Sequence, residues 1–78
     1  MREKRKYMII TFHTTTEAMA AEKVCIQEGI KGRLIPIPRE ITAGCGLAWR
    51  MALEEFKEYH EKLEELGLKY DQMVELML

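Results

Sequence analysis

The sequence has little of what marks a membrane protein, a disulfide-rich scaffold or a multidomain enzyme. Its 78 residues have room for one domain with one modest core. The apolar run at residues 7–12 is far shorter than the ~20 residues of a membrane span, and no small-residue cleavage pattern follows it. Two cysteines suit free thiols rather than a disulfide framework. We therefore expect a cytoplasmic protein that does not bind a membrane.

A large net charge is also lacking: the formal net charge is −1. This balance gives no general attraction to nucleic acid, so no nucleic-acid partner is expected. Four of the 12 basic side chains nevertheless lie within residues 1–6, at Arg2, Lys4, Arg5 and Lys6. We interpret these six residues as a frayed terminus ahead of a single domain at 7–78, with an RNA-binding or membrane-touching arm as the alternative.

Residue patterns predict four strands and two helices. Apolar, β-branched and aromatic residues indicate strands at 7–12, 30–37 and 47–51, and a two-residue alternation indicates a fourth at 68–77. The capping-box spacing of Thr14 and Glu17 predicts a helix from about Thr15 to Glu28. Apolar residues at three- and four-residue steps predict a second helix at 52–66.

The element order is therefore β-α-β-β-α-β, which is the split βαβ or ferredoxin-like arrangement. The predicted fold class is α+β, with a four-stranded antiparallel sheet and both helices on one face. A helix after Gly67, in place of the fourth strand, is the alternative.

A cysteine between two glycines, in the segment Gly44-Cys45-Gly46, is the candidate working group. Right-handed crossovers bring the end of the first strand, the start of the first helix and this loop to one edge of the sheet. The same edge receives His13, Thr14, Thr15, Pro38 and Arg39. A thiol there is expected to face a helix N-terminus, free backbone N–H groups, a guanidinium and an imidazole, all of which favour the thiolate.

Each of these residues also has a structural interpretation. Cys45 could be a small residue in a tight turn, His13 a hydrogen-bonded residue at a strand end, and Arg39 the surface partner of Glu40. The flanking glycines favour the functional interpretation, because they let another protein's sulfur approach the thiol and permit positive φ angles.

The second cysteine, Cys25, is expected in the core. It lies at i+4 from Ala21 and i+7 from Ala18, on a stripe of small residues suited to packing on a sheet. About ten helical residues at ~1.5 Å each separate it from the loop edge, too far for a disulfide to Cys45. A closed zinc site needs four ligands, and only Cys45 and His13 converge here. Neither a metal nor another cofactor is therefore expected.

Two stretches resemble a family of very small bacterial proteins described as selenium or sulfur carriers. They are Phe12-His13-Thr14-Thr15 with Ala21-Glu22-Lys23 after it, and Leu34-Ile35-Pro36-Ile37-Pro38-Arg39-Glu40-Ile41 followed by Cys45-Gly46-Leu47-Ala48. With the second helix, the resemblance covers residues 7–66, and the Pro-x-Pro-Arg-Glu-Ile…Cys-Gly segment is its most specific part. It implies that Cys45 carries sulfur or selenium between donor and acceptor proteins. The segment Thr42-Ala43-Gly44 departs from the serine-rich approach expected before the cysteine.

Two function classes follow. In the first, Cys45 is a covalent carrier of sulfur or selenium. In the second, the domain is a non-catalytic interaction or regulatory module that docks a partner or forms a homodimer through its sheet. A free-standing enzyme is disfavoured, because so short a chain has little cleft volume for an organic substrate and no evident group to orient a Cys-His pair.

Overall fold

The computed structural model describes residues 5–41 and 45–78. Its elements are β1 (Lys6–Thr11), α1 (Thr15–Gln27), β2 (Arg33–Pro36), β3 (Leu47–Ala52), α2 (Leu53–Glu65) and β4 (Met73–Met77). The order is the predicted β-α-β-β-α-β. The predictions for Gly44 and for most of the basic terminus, Arg2 and Lys4 included, lie outside the described residues.

The four described strands form one antiparallel sheet in the order β2-β3-β1-β4. Because β3 lies between β1 and β2, those two strands run in the same direction, as two right-handed crossovers require. Buried residues of α1 and α2 share one core cluster with Met8 and Ile10 of β1, so both helices cover the same face. The α+β, ferredoxin-like fold class is confirmed.

The main core lies between the helices and the sheet. Its large members include Phe12, directly after β1, together with Trp49 and Met51 of β3. Opposite them, α1 buries only the small side chains of Ala18, Ala21 and Cys25. Small residues allow the helix backbone to approach the sheet, and the large side chains of β1 and β3 fill the remaining space. The core position predicted for Cys25 is confirmed.

The start of α1 is fixed by the predicted capping pair. The Thr14 side-chain oxygen accepts a hydrogen bond from the Glu17 backbone N–H at 3.1 Å. In return, the Glu17 carboxylate accepts the backbone N–H of His13 at 3.0 Å, one residue before the usual position at the N-cap. The helix ends one residue earlier than predicted, with Glu28 as C-cap and Gly29 at a positive φ of 73°. Neither α1 nor α2 is long and apolar enough to cross a membrane.

The last strand is shorter than the alternation predicted. It begins at Met73 rather than at residue 68, and no helix replaces the missing part. The buried Thr11 explains the difference, because it binds the chain just ahead of β4. Its backbone N–H donates to the Gln72 carbonyl at 2.8 Å, its carbonyl accepts from Asp71 N–H at 2.7 Å, and its hydroxyl accepts from Gln72 N–H at 3.0 Å. These bonds turn residues 71–72 toward the end of β1.

The face of the sheet away from the helices carries a second, smaller apolar cluster. Ile9 of β1 and Ala48 of β3 are fully buried there. They are covered by Ile41, whose backbone N–H donates to the Pro38 carbonyl at 2.9 Å and so closes a turn. The chain at residues 37–41 therefore folds back over this open face, and a residue that the sequence placed in a loop is part of a core.

Gly32 is expected to tolerate no side chain. A Cβ there would lie 2.6 Å from the Trp49 ring and 2.7 Å from the Arg50 carbonyl oxygen. Gly32→Ala must displace the indole and should lower the free energy of unfolding by about 1–3 kcal/mol. Because Trp49 is the single tryptophan, its fluorescence should shift as well.

Gly29→Ala is the matched control, since the position is open within 4 Å and only its φ of 73° opposes a side chain. It should cost about 1 kcal/mol without changing the fluorescence. Unchanged stability and fluorescence for Gly32→Ala would contradict the close packing of Gly32 on Trp49.

Candidate functional site

Cys45 lies two residues before β3, at the edge of the sheet where β1 ends and α1 begins. Its backbone N–H donates to the Phe12 carbonyl at 3.0 Å, which joins it to the connection between those two elements. On the other side, the carbonyl of Gly46 accepts the backbone N–H of Ile37 at 2.9 Å. Backbone hydrogen bonds therefore tie Cys45 and Gly46 to the residues that follow β1 and β2. The ends of β1 and β2, the start of α1 and this loop meet at one edge of the sheet, as predicted.

The Cys45 side chain is half-buried and packs against the helix-side core. Its Sγ lies 3.9 Å from the carbonyl oxygen of Leu47, a long contact in which a protonated thiol is the donor. A thiolate has no proton to give to this carbonyl. Ionised Cys45 would therefore gain by turning its sulfur away from Leu47 and toward donors or solvent.

Gly46 has the positive φ that the sequence predicted for this loop. Its φ is 94°, and no described residue lies within 4 Å of the position a Cβ would take. The glycine thus supplies a backbone conformation that other residues rarely adopt. Its counterpart Gly44 lies outside the described residues.

His13 lies at the same edge, with its ring between two carboxylates. Nδ1 is 3.2 Å from Glu17 Oε1, and Nε2 is 3.4 Å from Asp71 Oδ1. Within the described residues, neither ring nitrogen has Cys45 as a partner. The structure thus brings His13 near the loop through its neighbour Phe12, while its ring joins the start of α1 to the turn before β4.

Asp71 is a site residue that sequence reasoning missed. The alternating pattern placed it inside a strand, where it gave no sign of meeting His13. The bonds between Thr11 and residues 71–72 bring it there, and a buried threonine offers no recognisable signal for such a contact.

The remaining predicted site residues surround the edge without described contacts to the thiol. Arg39 is exposed in the turn that Pro38 begins, and none of the described ion pairs or hydrogen bonds involves its side chain. Thr14 is committed to capping α1, and Thr15 is the exposed first residue of that helix. The predicted pairing of Arg39 with Glu40 is not among the described ion pairs, and the roles proposed for these residues at the thiol stay predictions.

The two cysteines have opposite environments. Cys25 is 1% exposed, and its burial raises the pKa of the thiol from 9.0 to about 11. Burial penalises the charged thiolate, which is the nucleophilic form. Cys25 is therefore chemically inert near neutral pH, and Cys45 is the candidate reactive thiol. No group of three or more metal-ligating side chains occurs in the part of the chain that the structure describes.

Comparison with known proteins connects the chain to a family. The family model described as "Putative Se/S carrier protein-like" matches residues 6–75. This range includes both helices, Cys45 and His13. No curated protein and no solved structure matches the chain.

We expect Cys45 to react with a thiol-alkylating reagent while Cys25 does not. At pH 8, Cys25 should label at least about 100-fold more slowly, because it is buried and because a pKa raised by two units lowers its thiolate fraction about 100-fold. Its labelling should accelerate as the pH rises toward 11. Peptide mapping after brief alkylation measures both sites, and labelling in denaturant, where the two should react alike, is the control. Equal labelling in the folded protein would show that Cys45 has no special accessibility.

Proposed function

The chain belongs to the family of Se/S carrier-like proteins, and from that premise we propose that Cys45 carries sulfur or selenium covalently between partner proteins. The observation that carries the proposal is the placement of Cys45. Its backbone N–H is bonded to the Phe12 carbonyl, the carbonyl of the next residue is bonded to Ile37, and its side chain is half-buried at the sheet edge. The other cysteine is sealed in the core.

The transfer needs no oxidant. The Cys45 thiolate attacks the outer sulfur of a donor persulfide, R-S-SH, forming Cys45-S-SH and releasing the donor as R-S⁻. An acceptor nucleophile then attacks the same outer sulfur and frees the Cys45 thiolate. A selenium atom in the outer position follows the same two displacements. Each step exchanges one bond at the transferred atom, so the protein ends unchanged.

His13 and Arg39 are assigned supporting roles. His13 follows the residue that binds the Cys45 backbone, and its ring nitrogens lie 3.2 Å and 3.4 Å from carboxylate oxygens of Glu17 and Asp71. It is proposed to take up the proton that Cys45 loses. Arg39 is an exposed cation in the loop that leads toward Cys45, and it is proposed to stabilise the thiolate or the incoming anionic sulfur.

Residues around Cys45 and its partner proteins complete the proposed carrier. The edge is proposed to be shaped by Thr14, Thr15, Pro38 and Gly46, and the role predicted for Gly44 lies outside the described residues. The proposed partners are sulfur or selenium donor and acceptor proteins. The proposed reaction takes place in the cytoplasm without a metal or organic cofactor. Gly46 is exposed, and none of the described residues lies within 4 Å of the position a Cβ would take there, which supports the approach of such a partner.

Intact-protein mass spectrometry tests the carrier role. After incubation with a small-molecule persulfide and removal of excess, the protein should gain the mass of one sulfur atom. Cys25→Ala should retain this gain and Cys45→Ser should lose it, and both variants should stay folded by circular dichroism. A selenium donor should give one selenium atom at the same residue. Labelling that persists in Cys45→Ser, or no labelling of the folded wild type, would refute a carrier function for Cys45.

A second candidate, an interaction module that forms a homodimer, is favoured by the outer edge of β4. Arg5 and Leu78 exchange two backbone hydrogen bonds, at 3.1 and 3.0 Å. Antiparallel alternation then directs the backbone N–H and C=O groups of Met73, Glu75 and Met77 away from β1. Such groups form a template for an added strand.

The two outer strands of the sheet, β2 and β4, differ in how strongly they resist pairing with a further strand. The β2 edge carries Pro36 and Arg33, which discourage strand addition. The β4 edge has neither proline nor lysine, its single charge is Glu75, and Met77 is 49% exposed. Strand addition is therefore expected at β4.

A two-fold pairing of β4 with β4 of a second copy avoids two facing Glu75 residues when it is centred on Val74 or on Leu76. Charge favours the register centred on Leu76, which sets Glu75 opposite Met77 of the second copy. Lys6 is the neighbour of Met77 on β1, so its ammonium falls in the same row as the partner's Glu75. The pairing is self-complementary in charge and in backbone geometry.

Disulfide trapping tests this dimer. In a Cys25→Ala, Cys45→Ser background, Leu76→Cys should form a covalent dimer on mild oxidation, because facing residues of this pair have Cα atoms ~4.5 Å apart. Val74→Cys is the control, since residue 78 rather than a second residue 74 would face it. Cross-linking at Val74 instead would show a different register, and a monomer by sedimentation at all accessible concentrations would exclude the homodimer.

A further inference from the structure

Two arginines face each other at the opposite end of the sheet from Cys45. Arg33 of β2 is paired directly with Arg50 of β3, and both lie on the open face. The next residues in the same row are Ile9 and Val74, which carry no charge. Like charges directly opposite on an antiparallel pair are destabilising. The repulsion between Arg33 and Arg50 would be removed if an anion bound between them.

A cleft of about 310 Å³ opens at this pair. Its lining includes Lys31, Arg33 and Arg50 as cations, Tyr7, and Glu55 as the single acid. The Glu55 carboxylate accepts the backbone N–H of Lys31 at 3.0 Å and is thereby engaged. The lining therefore has an excess of two positive charges in a chain whose net charge is −1.

The three cations have no carboxylate partner among the described ion pairs. Among the described lysines and arginines, Lys62 does have such a partner, Glu28 at 3.2 Å. The Arg50 guanidinium instead lies over the Tyr7 ring, 4.8 Å from its centroid. Stacking on an aromatic ring holds the guanidinium plane while leaving its N–H groups free for an acceptor.

We propose that this cleft binds a small molecule through a phosphate group. Two guanidiniums and an ammonium can donate several charge-assisted hydrogen bonds to the oxygens of one tetrahedral dianion, and the arginines can do so in the two-pronged manner that such oxygens favour. The dianion would also remove the repulsion between Arg33 and Arg50. Five residues of β3 at ~3.4 Å each place the cleft about 17 Å along the strand from Cys45, so this site is independent of the proposed carrier chemistry.

Thermal unfolding and calorimetric titration test the site with inorganic phosphate as the first probe. At constant ionic strength, phosphate should raise the Tm of the wild type more than chloride does. Arg33→Gln should raise the Tm in low salt without any anion, because it removes the like-charge pair, and should weaken phosphate binding by about tenfold or more. Lys23→Gln, the same charge change on the exposed face of α1, should alter neither the low-salt Tm nor the binding.

The source of the phosphate is distinguished by comparing inorganic phosphate with glycerol phosphate. Tighter binding of the ester would identify an organic phosphate as the ligand, and equal binding would identify the free anion. The proposal is overturned if phosphate acts no differently from chloride, if Arg33→Gln responds to phosphate as the wild type does, or if a glutamate-rich peptide binds the cleft and phosphate does not. In that last case the cleft receives an acidic protein surface.

Discussion

The central strand β1 must bury both of its faces, and the rest of the structure is arranged around that requirement. Ile10 and Phe12 point to the helices and Ile9 and Thr11 to the open face, and all four are almost completely buried. The two helices cover the first of these faces. The open face is covered by Ile41 and by strand residues of the second cluster. Because Thr11 is polar, its hydroxyl also requires a partner, and Gln72 provides one.

The same constraint builds the candidate site. Where β1 ends, its backbone must still be satisfied, and the carbonyl of Phe12 is satisfied by Cys45. The carbonyl of Thr11 is satisfied by Asp71, which brings a carboxylate to His13. Cysteine, imidazole and carboxylates thus collect at one edge through main-chain bonds of a buried strand. Binding and catalytic residues are commonly held in this way, on loops positioned by a sheet.

The sheet has two chemically different ends. One end gathers the thiol, the N-terminus of α1 and the carboxylates around His13, and the other gathers cations around Tyr7 that have no carboxylate partner among the described residues. Cys25 and Cys45 show the same contrast within one residue type. Burial in the core raises the pKa of Cys25, whereas Cys45 is half-buried in a loop. The two proposed sites lie at opposite ends of the same sheet.

The apolar periodicity of the sequence, with its glycine and helix-capping residues, by itself determined the element order, the fold class, the capping of α1 by Thr14 and Glu17, and the core position of Cys25. These features are local, or follow from chirality rules that apply to any chain with this order. Only the tertiary structure decided that β4 starts at Met73, that Ile41 belongs to a core, that His13 lies between Glu17 and Asp71, and that Arg33 faces Arg50. Each depends on which residues meet across the sheet, and strand register and buried polar partners are set by packing between segments far apart in the chain.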